Sequence, residues 1–323
     1  MTKYISILLA LAGFAQAGFA QAQQGSVGGP VAGFVFDRGA QALRPLPGIP
    51  GASTVGSPIS SGYQLTAAYV APRLDSVFGV AADGSTHYFT LSSATLTEAS
   101  IEGLMAQPER VAFSPSGTAA VLYSSGQAQM VVGLPGSPSL AGSLQLRQAA
   151  RAIHPTSLAI SDDGAYLLFA VGGAIQLGSQ SGGVRAVMSA GAGASVAFAP
   201  GAHDAAIAAR GTGVMLIHDV PGSAVQQPLA ADDGSFEVVA GLGFSQDGTR
   251  VFVATAAAQP VIVVDLAGNR TGVACTCSPT ELAPMGNLFR LNELGAGPLW
   301  VADAGSTGPR TVFVPALVAA QSQ

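Results

Sequence analysis

The chain has 323 residues, of which 49% are hydrophobic and 10% are charged, and its formal net charge is −5. This composition excludes a disordered chain, which needs low hydrophobicity and high net charge. Lys3 is the only lysine, and the arginines are scattered singly. Nucleic acid and anionic membrane surfaces are therefore poor candidate partners, because both are bound by clustered basic residues.

The N-terminal segment has the layout of a secretory signal peptide. Lys3 precedes an apolar run from Ile7 to Ala15, and small residues offer cleavage sites at Ala15-Gln16-Ala17 or Ala20-Gln21-Ala22. The run is too short for a membrane span, although an N-terminal anchor helix is an alternative. We predict a signal peptide over 1–22, a flexible segment over 23–30, one domain over 31–316 and a tail over 317–323. The mature protein is expected to be secreted or periplasmic, monomeric and without a membrane span.

Four segments repeat one layout, an apolar strand followed by a turn rich in Ser, Asp, Pro and Gly. They are 111–117, 158–164, 196–201 and 242–248, with Phe113, Ile160, Phe198 and Phe244 as anchors. The anchors lie 47, 38 and 46 positions apart, and fainter copies at 68–72 and 289–293 extend the series to six. A recurrence of about 44 residues is typical of stacked supersecondary units.

Each unit contains several β-rich runs, for example 121–123 and 130–132, and a more polar run such as 144–147 closes several units. Four antiparallel strands in 40 to 50 residues make one blade of a β-propeller. The sequence therefore predicts an all-β fold with six blades, or seven if the N-terminal hairpin heads its own blade. The last unit, taken from Phe289 to Val314, shows three strands. We expect the N-terminal segment around 33–46 to complete that blade and close the ring, since an open ring would expose an edge.

The segments 251–255, 261–265 and 268–270 together resemble the YVTN-type repeats of bacterial propellers. The Ser-Pro-Ser-Gly turn at 114–117 and the Ser-Gln-Asp-Gly turn at 245–248 are similar to those of WD40-like repeats in TolB-type propellers. The likeness spans roughly Tyr63 to Val314 and implies a propeller fold. A β-sandwich pair would not explain the recurrence, and a doubly wound α/β fold needs helices, for which 96–106 is the only candidate.

Few residues suggest chemistry. Cys275 and Cys277 are candidates for a local disulfide in an exported protein, with reduced thiols or a redox pair as alternatives. His203-Asp204 and His218-Asp219 are adjacent pairs, which point to opposite faces of a strand, so packing or turn roles are favoured over catalysis. The motifs of zinc sites, serine hydrolases and phosphate loops are absent from the sequence.

Carboxylates are the remaining option. Asp83, Asp162, Asp163, Asp232, Asp233 and Asp247 precede a glycine directly or lie one residue from it, which predicts turn chemistry. Asn292 and Glu293 are possible contributors to a calcium site in a central channel, but the other repeats offer Ala, Ser or Pro there. We therefore predict no catalytic residue, no metal and no cofactor. The favoured function is a non-catalytic scaffold that binds a protein or a surface ligand, and the alternative is a propeller enzyme of the lactonase or quinone-dependent dehydrogenase kind.

Overall fold

The computed structural model describes residues 29–148, 151–305 and 308–316. The regular elements within these ranges are all β-strands. This part of the chain accordingly contains no helix that could cross a membrane. The predicted signal peptide (1–22), all but the end of segment 23–30 and the predicted tail (317–323) lie outside the described residues.

The strands form six four-stranded antiparallel sheets and two hairpins. The N-terminal hairpin is β1 (Val31–Asp37) and β2 (Ala42–Pro47), and a small hairpin of β11 (Arg147–Gln148) and β12 (Arg151–Ala152) follows the second sheet. Blade 1 is β3 (Leu65–Val70), β4 (Ser76–Ala81), β5 (Thr86–Ser92) and β6 (Thr95–Ala99); blade 2 is β7 (Arg110–Phe113), β8 (Ala119–Ser124), β9 (Gln127–Val132) and β10 (Ser139–Gln145). Blade 3 is β13 (Ser157–Ile160), β14 (Tyr166–Val171), β15 (Ala174–Ser179) and β16 (Val184–Ser189); blade 4 is β17 (Ser195–Phe198), β18 (Ala205–Ala209), β19 (Gly213–His218) and β20 (Val225–Ala230). Blade 5 is β21 (Val239–Phe244), β22 (Arg250–Thr255), β23 (Val261–Asp265) and β24 (Arg270–Val273); blade 6 is β25 (Ala283–Met285), β26 (Leu288–Arg290), β27 (Leu299–Asp303) and β28 (Arg310–Val314).

The first strands of the six sheets and β1 surround one central channel. Within each sheet the strands follow in chain order from the channel outward. The protein is therefore a six-bladed β-propeller, as the sequence predicts. The segment 96–106, the one helix candidate, is the end of β6 and a loop.

Burial explains the apolar and polar runs. β4 and β18 are buried at every position, because a neighbouring sheet covers each of their faces. The outermost strands β16 and β20 are exposed at most positions, since one side meets water. Small residues dominate β18, with the sequence AAIAA, where two sheets approach closely.

The core is divided into seven buried clusters, one for each contact between neighbours in the ring. Tyr123 and Phe169, for example, lie in the cluster between blades 2 and 3. No blade buries its faces alone, so the closed ring is the unit of stability.

The register of the repeat is confirmed for five blades. Phe113, Ile160, Phe198 and Phe244 each end the first strand of their blade, and the faint copy at 68–72 overlaps β3. The predicted register of the sixth copy is wrong, because Phe289 lies in β26, the second strand of blade 6. The first strand of that blade is the three-residue β25, which ends in the short turn at Gly286 rather than in a Ser-x-x-Gly turn.

The N-terminal segment closes the ring, but it does not complete the last blade. Blade 6 has its own four strands, and β1 pairs only with β2. Phe34 packs into the cluster with blade 1, while the next residue, Val35, packs into the cluster with blade 6. Gly33 lies so close to Met285 that a β-carbon there would clash with the sulfur. The hairpin therefore fills the space between the first and last blades as a separate two-stranded sheet.

Candidate functional site

The central channel has a volume of about 560 Å³. Its wall is built from β1 and from the first strand of every blade. Between the two ends the lining side chains are mostly apolar, including Phe36, Val111, Phe113 and Leu158. A cavity of this size and lining lies in the range that holds small organic ligands.

The turns that follow the first strands meet at one end of the channel, which we call the turn mouth. The backbone N–H of Gly286 donates to the carbonyl of Pro72 at 2.8 Å, joining blades 6 and 1. The N–H groups of Ser116 and Gly201 both donate to the Asp162 carboxylate at 2.7 Å, joining blades 2, 3 and 4. The channel lining at this end is Pro72, Ser114, Pro115, Pro200, Ser245, Gln246 and Gly286.

The serines and aspartates of these turns bond mainly to their own turns. Ser245 donates to Asp247 at 2.5 Å, and Asp247 accepts the backbone N–H of Thr249 at 3.1 Å. Ser161 donates to Asp163 at 2.6 Å in the same way. These contacts are the turn chemistry predicted for Asp beside Gly.

The opposite end, which we call the charged mouth, carries every charged residue among the described residues that line the channel. They are Arg38, Glu109, Arg110, Glu281, Arg290 and Glu293. The first strands begin at this end, and the chain reaches it again where β1 and β26 finish. The six residues are contributed by the N-terminal hairpin and by blades 2 and 6.

Two ion pairs organise this mouth. Arg290 donates two hydrogen bonds to Glu281, at 2.7 and 3.0 Å, which is the bidentate geometry of a strong pair. Arg38 pairs with Glu293 at 2.8 Å, and this hydrogen bond raises the pKa of the guanidinium. The second pair is largely open to solvent, so it orients the two side chains more than it stabilises the fold.

Tyr69 lies in β3 and lines the same channel. Burial raises the pKa of its phenol, and the charge of Glu293 raises it further, while Arg38 and Arg110 act in the opposite direction. The phenol therefore lies within electrostatic reach of the charged mouth. Its hydroxyl is a possible donor to a ligand in the channel.

The histidines named from the sequence do not pair with their adjacent aspartates. His203 contacts Asp163 of the neighbouring blade at 2.9 Å, and His218 contacts Asp204 at 2.7 Å and Gln227 at 2.9 Å. The pKa of His218 is raised by its hydrogen bonds to Gln227, which has the larger effect, and to Asp204. His203 lies in the turn between β17 and β18 and His218 ends β19, and neither is among the residues that line the channel.

Asn292 and Glu293, the two residues considered for calcium, have other roles. Asn292 accepts the backbone N–H of Trp300 at 2.7 Å and donates to the carbonyl of Pro298, which shapes the loop before β27. Glu293 is paired with Arg38. Within the described ranges, no three His, Cys, Asp or Glu residues are grouped as a metal site would require.

Cys275 and Cys277 are bonded to each other in the structure, with their α-carbons 5.2 Å apart. The loop that holds them follows β24, the outer strand of blade 5, and Cys277 packs against the core between blades 5 and 6. The bond lies far from the channel lining. Its formation in the cell stays a prediction that depends on export.

Blade 1 contains a polar cluster that the sequence analysis did not identify. Ser85 Oγ lies 2.7 Å from Nε2 of His87, and Nδ1 of His87 lies 2.7 Å from Glu98. These are the contacts of a Ser–His–carboxylate triad. The Tyr63 ring stacks on His87 at 3.8 Å between centroids, and its hydroxyl donates to Glu98 at 2.8 Å. Hydrogen bonding, mainly with His87, lowers the pKa of Glu98.

Two features argue against Ser85 as a nucleophile. Its hydroxyl donates to Asp83 at 2.6 Å, so its one proton has a second acceptor besides His87. The neighbouring N–H groups are occupied as well: that of Ser85 donates to Asp83 at 2.9 Å and that of Gly84 to the carbonyl of Ala81 at 2.9 Å. Acyl transfer needs N–H groups aimed at a developing oxyanion. The observed contacts instead fasten the segment around Tyr63 to blade 1.

No family model matches the chain, and no curated protein matches its sequence. Solved structures do match. A protein of unknown function from Desulfotomaculum acetoxidans has 14% identity and a TM-score of 0.59 over 87% of this chain and 94% of its own. A putative 6-phosphogluconolactonase from Bacteroides fragilis has 14% identity and a TM-score of 0.57 over 88% of this chain and 92% of its own. Hydrazine synthase of Kuenenia stuttgartiensis has 15% identity and a TM-score of 0.51 over 94% of this chain and 99% of its own. At these identities the likeness establishes the propeller fold alone.

The residues missed by sequence reasoning have different signals. Ser85 and His87 are two positions apart, and an extended strand places such residues on one face. Their proximity could therefore have been predicted from the sequence. Arg38 and Glu293 are separated by 255 positions, and only closure of the ring brings them together. Arg110 and Tyr69 are single residues in strands with no distinguishing motif.

Proposed function

We propose that the protein is an exported, non-catalytic binding scaffold that receives its protein or surface ligand at the charged mouth. One observation carries the proposal: among the described residues, the charged ones that line the channel all lie at this mouth. At the turn mouth the serine and aspartate side chains are bonded to the turns themselves. The charged mouth is therefore the end that offers charged side chains to a partner.

The arrangement suits recognition. Charged side chains at the rim of an interface guide encounter and fix orientation more than they add affinity. The Arg38–Glu293 pair is exposed at its rim, with side-chain exposures of 71% and 56%, and can exchange its internal contact for one with a partner. Export is supported by the N-terminal sequence pattern, and a relation to YVTN-type and TolB-type propellers by the turns at 114–117 and 245–248.

The charged mouth is tested by comparing variants of its two ends. We expect Arg38→Ala combined with Glu293→Ala to weaken retention of an envelope partner by about tenfold, because rim charges set the encounter and register. Gln246→Ala at the turn mouth is the control, because Gln246 also lines the channel and is exposed. Retention is measured by quantitative mass spectrometry of proteins held by immobilised wild type and variants. Loss with Gln246→Ala but not with the double variant would contradict the proposal.

A second candidate is a propeller enzyme. The Ser85–His87–Glu98 geometry favours it, and the fold is shared with a putative lactonase. The occupied N–H groups beside Ser85 argue that the triad contacts do not support acyl transfer. We therefore expect an alkyl fluorophosphonate to leave Ser85 unlabelled, as read by peptide mass spectrometry. Labelling of Ser85 that disappears in His87→Gln would show instead that the protein is an enzyme. A lactonase or quinone-dependent dehydrogenase site at the channel would be tested separately, by measuring turnover in the charged-mouth variants.

A further inference from the structure

Among the described residues, the charged mouth carries three arginines and three glutamates, so its formal charges cancel, but not all of them are paired with one another. Arg38 is paired with Glu293 and Arg290 with Glu281. The third carboxylate, Glu109, also lines the channel, and it accepts the backbone N–H of Ser125 at 2.9 Å and lies 3.7 Å from His154. Arg110 neighbours Glu109 in the chain, and adjacent residues of a strand point to opposite faces.

Arg110 is thus the exception among the three arginines at this mouth. It is exposed, it lines the channel, and it forms no salt bridge with any residue in the ranges that the structure describes. The described part of the mouth is therefore formally neutral, but the guanidinium of Arg110 has no carboxylate partner within it. An arginine in this position, with its planar set of donors, favours a carboxylate or phosphate group.

Tyr69 supplies a second donor. It lines the channel together with Arg110, and burial raises the pKa of its phenol, which keeps the hydroxyl protonated as a donor. The two residues belong to neighbouring blades, since Tyr69 lies in β3 of blade 1 and Arg110 is the first residue of β7 of blade 2. Below these two groups the wall becomes apolar, with Phe36, Val111 and Phe113 among its lining residues.

We propose that the charged mouth takes a small monocarboxylate with an apolar body, whose carboxylate lies between Arg110 and Tyr69 while the body enters the channel. The proposal rests on the proposed function in placing the binding face at this mouth. The channel volume of about 560 Å³ accommodates a molecule of this kind. A phosphate dianion fits less well, because Glu281 and Glu293 line the same mouth and a single unpaired arginine does not balance two negative charges.

The test uses three ligands that share one apolar body: 4-phenylbutanoate, 4-phenylbutanol and 4-phenylbutyl phosphate. Binding is measured by titration calorimetry at low salt with the full mature chain. We expect the carboxylate to bind at least about tenfold more tightly than the alcohol, since one charge-assisted hydrogen bond has that effect. The phosphate is expected to bind no better than the carboxylate.

Two variants locate the carboxylate. Arg110→Gln is expected to lower carboxylate affinity by about tenfold or more and leave alcohol affinity unchanged, and Tyr69→Phe is expected to lower it by roughly threefold to tenfold. Arg147→Gln is the matched control, because Arg147 is in the hairpin of β11 and β12 and does not line the channel. Thermal denaturation checks that each variant is folded.

The proposal is overturned if the acid and the alcohol bind equally, if neither binds at millimolar concentration, if the phosphate binds tenfold more tightly than the acid, or if Arg110→Gln leaves acid binding intact. Failure here is separable from failure of the proposed function. If a partner is retained through Arg38 and Glu293 but no carboxylate binds, the small-ligand proposal is wrong and the scaffold proposal still holds. If neither partner retention through Arg38 and Glu293 nor carboxylate binding is observed, the charged mouth is not the binding face.

Discussion

Replacing Gly191 with alanine is expected to destabilise the propeller by about 3 kcal/mol and to lower Tm by roughly 10 °C. Gly191 lies in the connection between β16 and β17, the link from blade 3 to blade 4. A β-carbon at this position would overlap the carbonyl oxygen of Arg210, and it would lie 2.8 Å from the carbonyl carbon and 3.3 Å from the nitrogen of the same residue. These are backbone atoms, so no change of rotamer relieves the overlap.

The matched control is Gly136→Ala. Gly136 is also in a turn, its φ is not in the left-handed region, and its β-carbon position has no heavy atom within 4 Å. Alanine there should change stability by less than about 0.5 kcal/mol or raise it slightly, because alanine restricts the unfolded chain. Thermal denaturation followed by circular dichroism compares the two variants. Equal melting temperatures would show that the 190–194 link is displaced at low cost, contrary to the packing seen here.

The fold could be predicted because its repeat is carried by local signals. Phe113 and Phe244 each precede a turn with serine and glycine at fixed positions, and the same spacing sets the end of the first strand in the structure. The sixth blade lacked that signal. Its first strand is only Ala283–Met285, with a proline at its centre, so the sequence pattern favours the stronger run at Phe289.

The candidate site could not be predicted, because its members meet only when the ring closes. The N-terminal hairpin shows this most clearly. Its own sequence indicates two strands. It does not indicate that Phe34 packs against the first blade while Val35 packs against the last blade. The position of Arg38 beside Glu293 follows from that placement, and so does the location of the charged mouth.

The role of Asp162 could not be predicted either, because the sequence indicates only a turn residue. In the structure its carboxylate accepts the N–H and hydroxyl of Ser116 at 2.7 and 2.6 Å and the N–H of Gly201 at 2.7 Å. Its backbone carbonyl accepts the hydroxyl of Thr118 at 2.6 Å. One side chain therefore links the turns of three consecutive blades. Its neighbour Asp163 bonds within its own turn, to Ser161 and the N–H of Ala165, and to His203.

Asp162→Ala is expected to destabilise the protein by about 2 to 3 kcal/mol, because three donors lose a charged acceptor at a partly buried site. Asp162→Asn should lie between alanine and wild type, since one carbonyl oxygen remains as an acceptor. Glu102→Ala is the control: Glu102 is exposed, and its loss should change stability by less than about 0.5 kcal/mol. Urea denaturation gives the free energy of unfolding for each variant.

The link between blades is separated from a local turn effect by a double-mutant cycle with Ser116→Ala. Ser116 is 46 positions from Asp162, and the two belong to different blades. If the carboxylate stabilises the fold through this contact, the double variant should be less destabilised than the sum of the single variants, by about 1 kcal/mol. If the two effects add within error, the Ser116 hydroxyl does not couple to Asp162, and the carboxylate stabilises the fold through the backbone N–H groups of Ser116 and Gly201 instead.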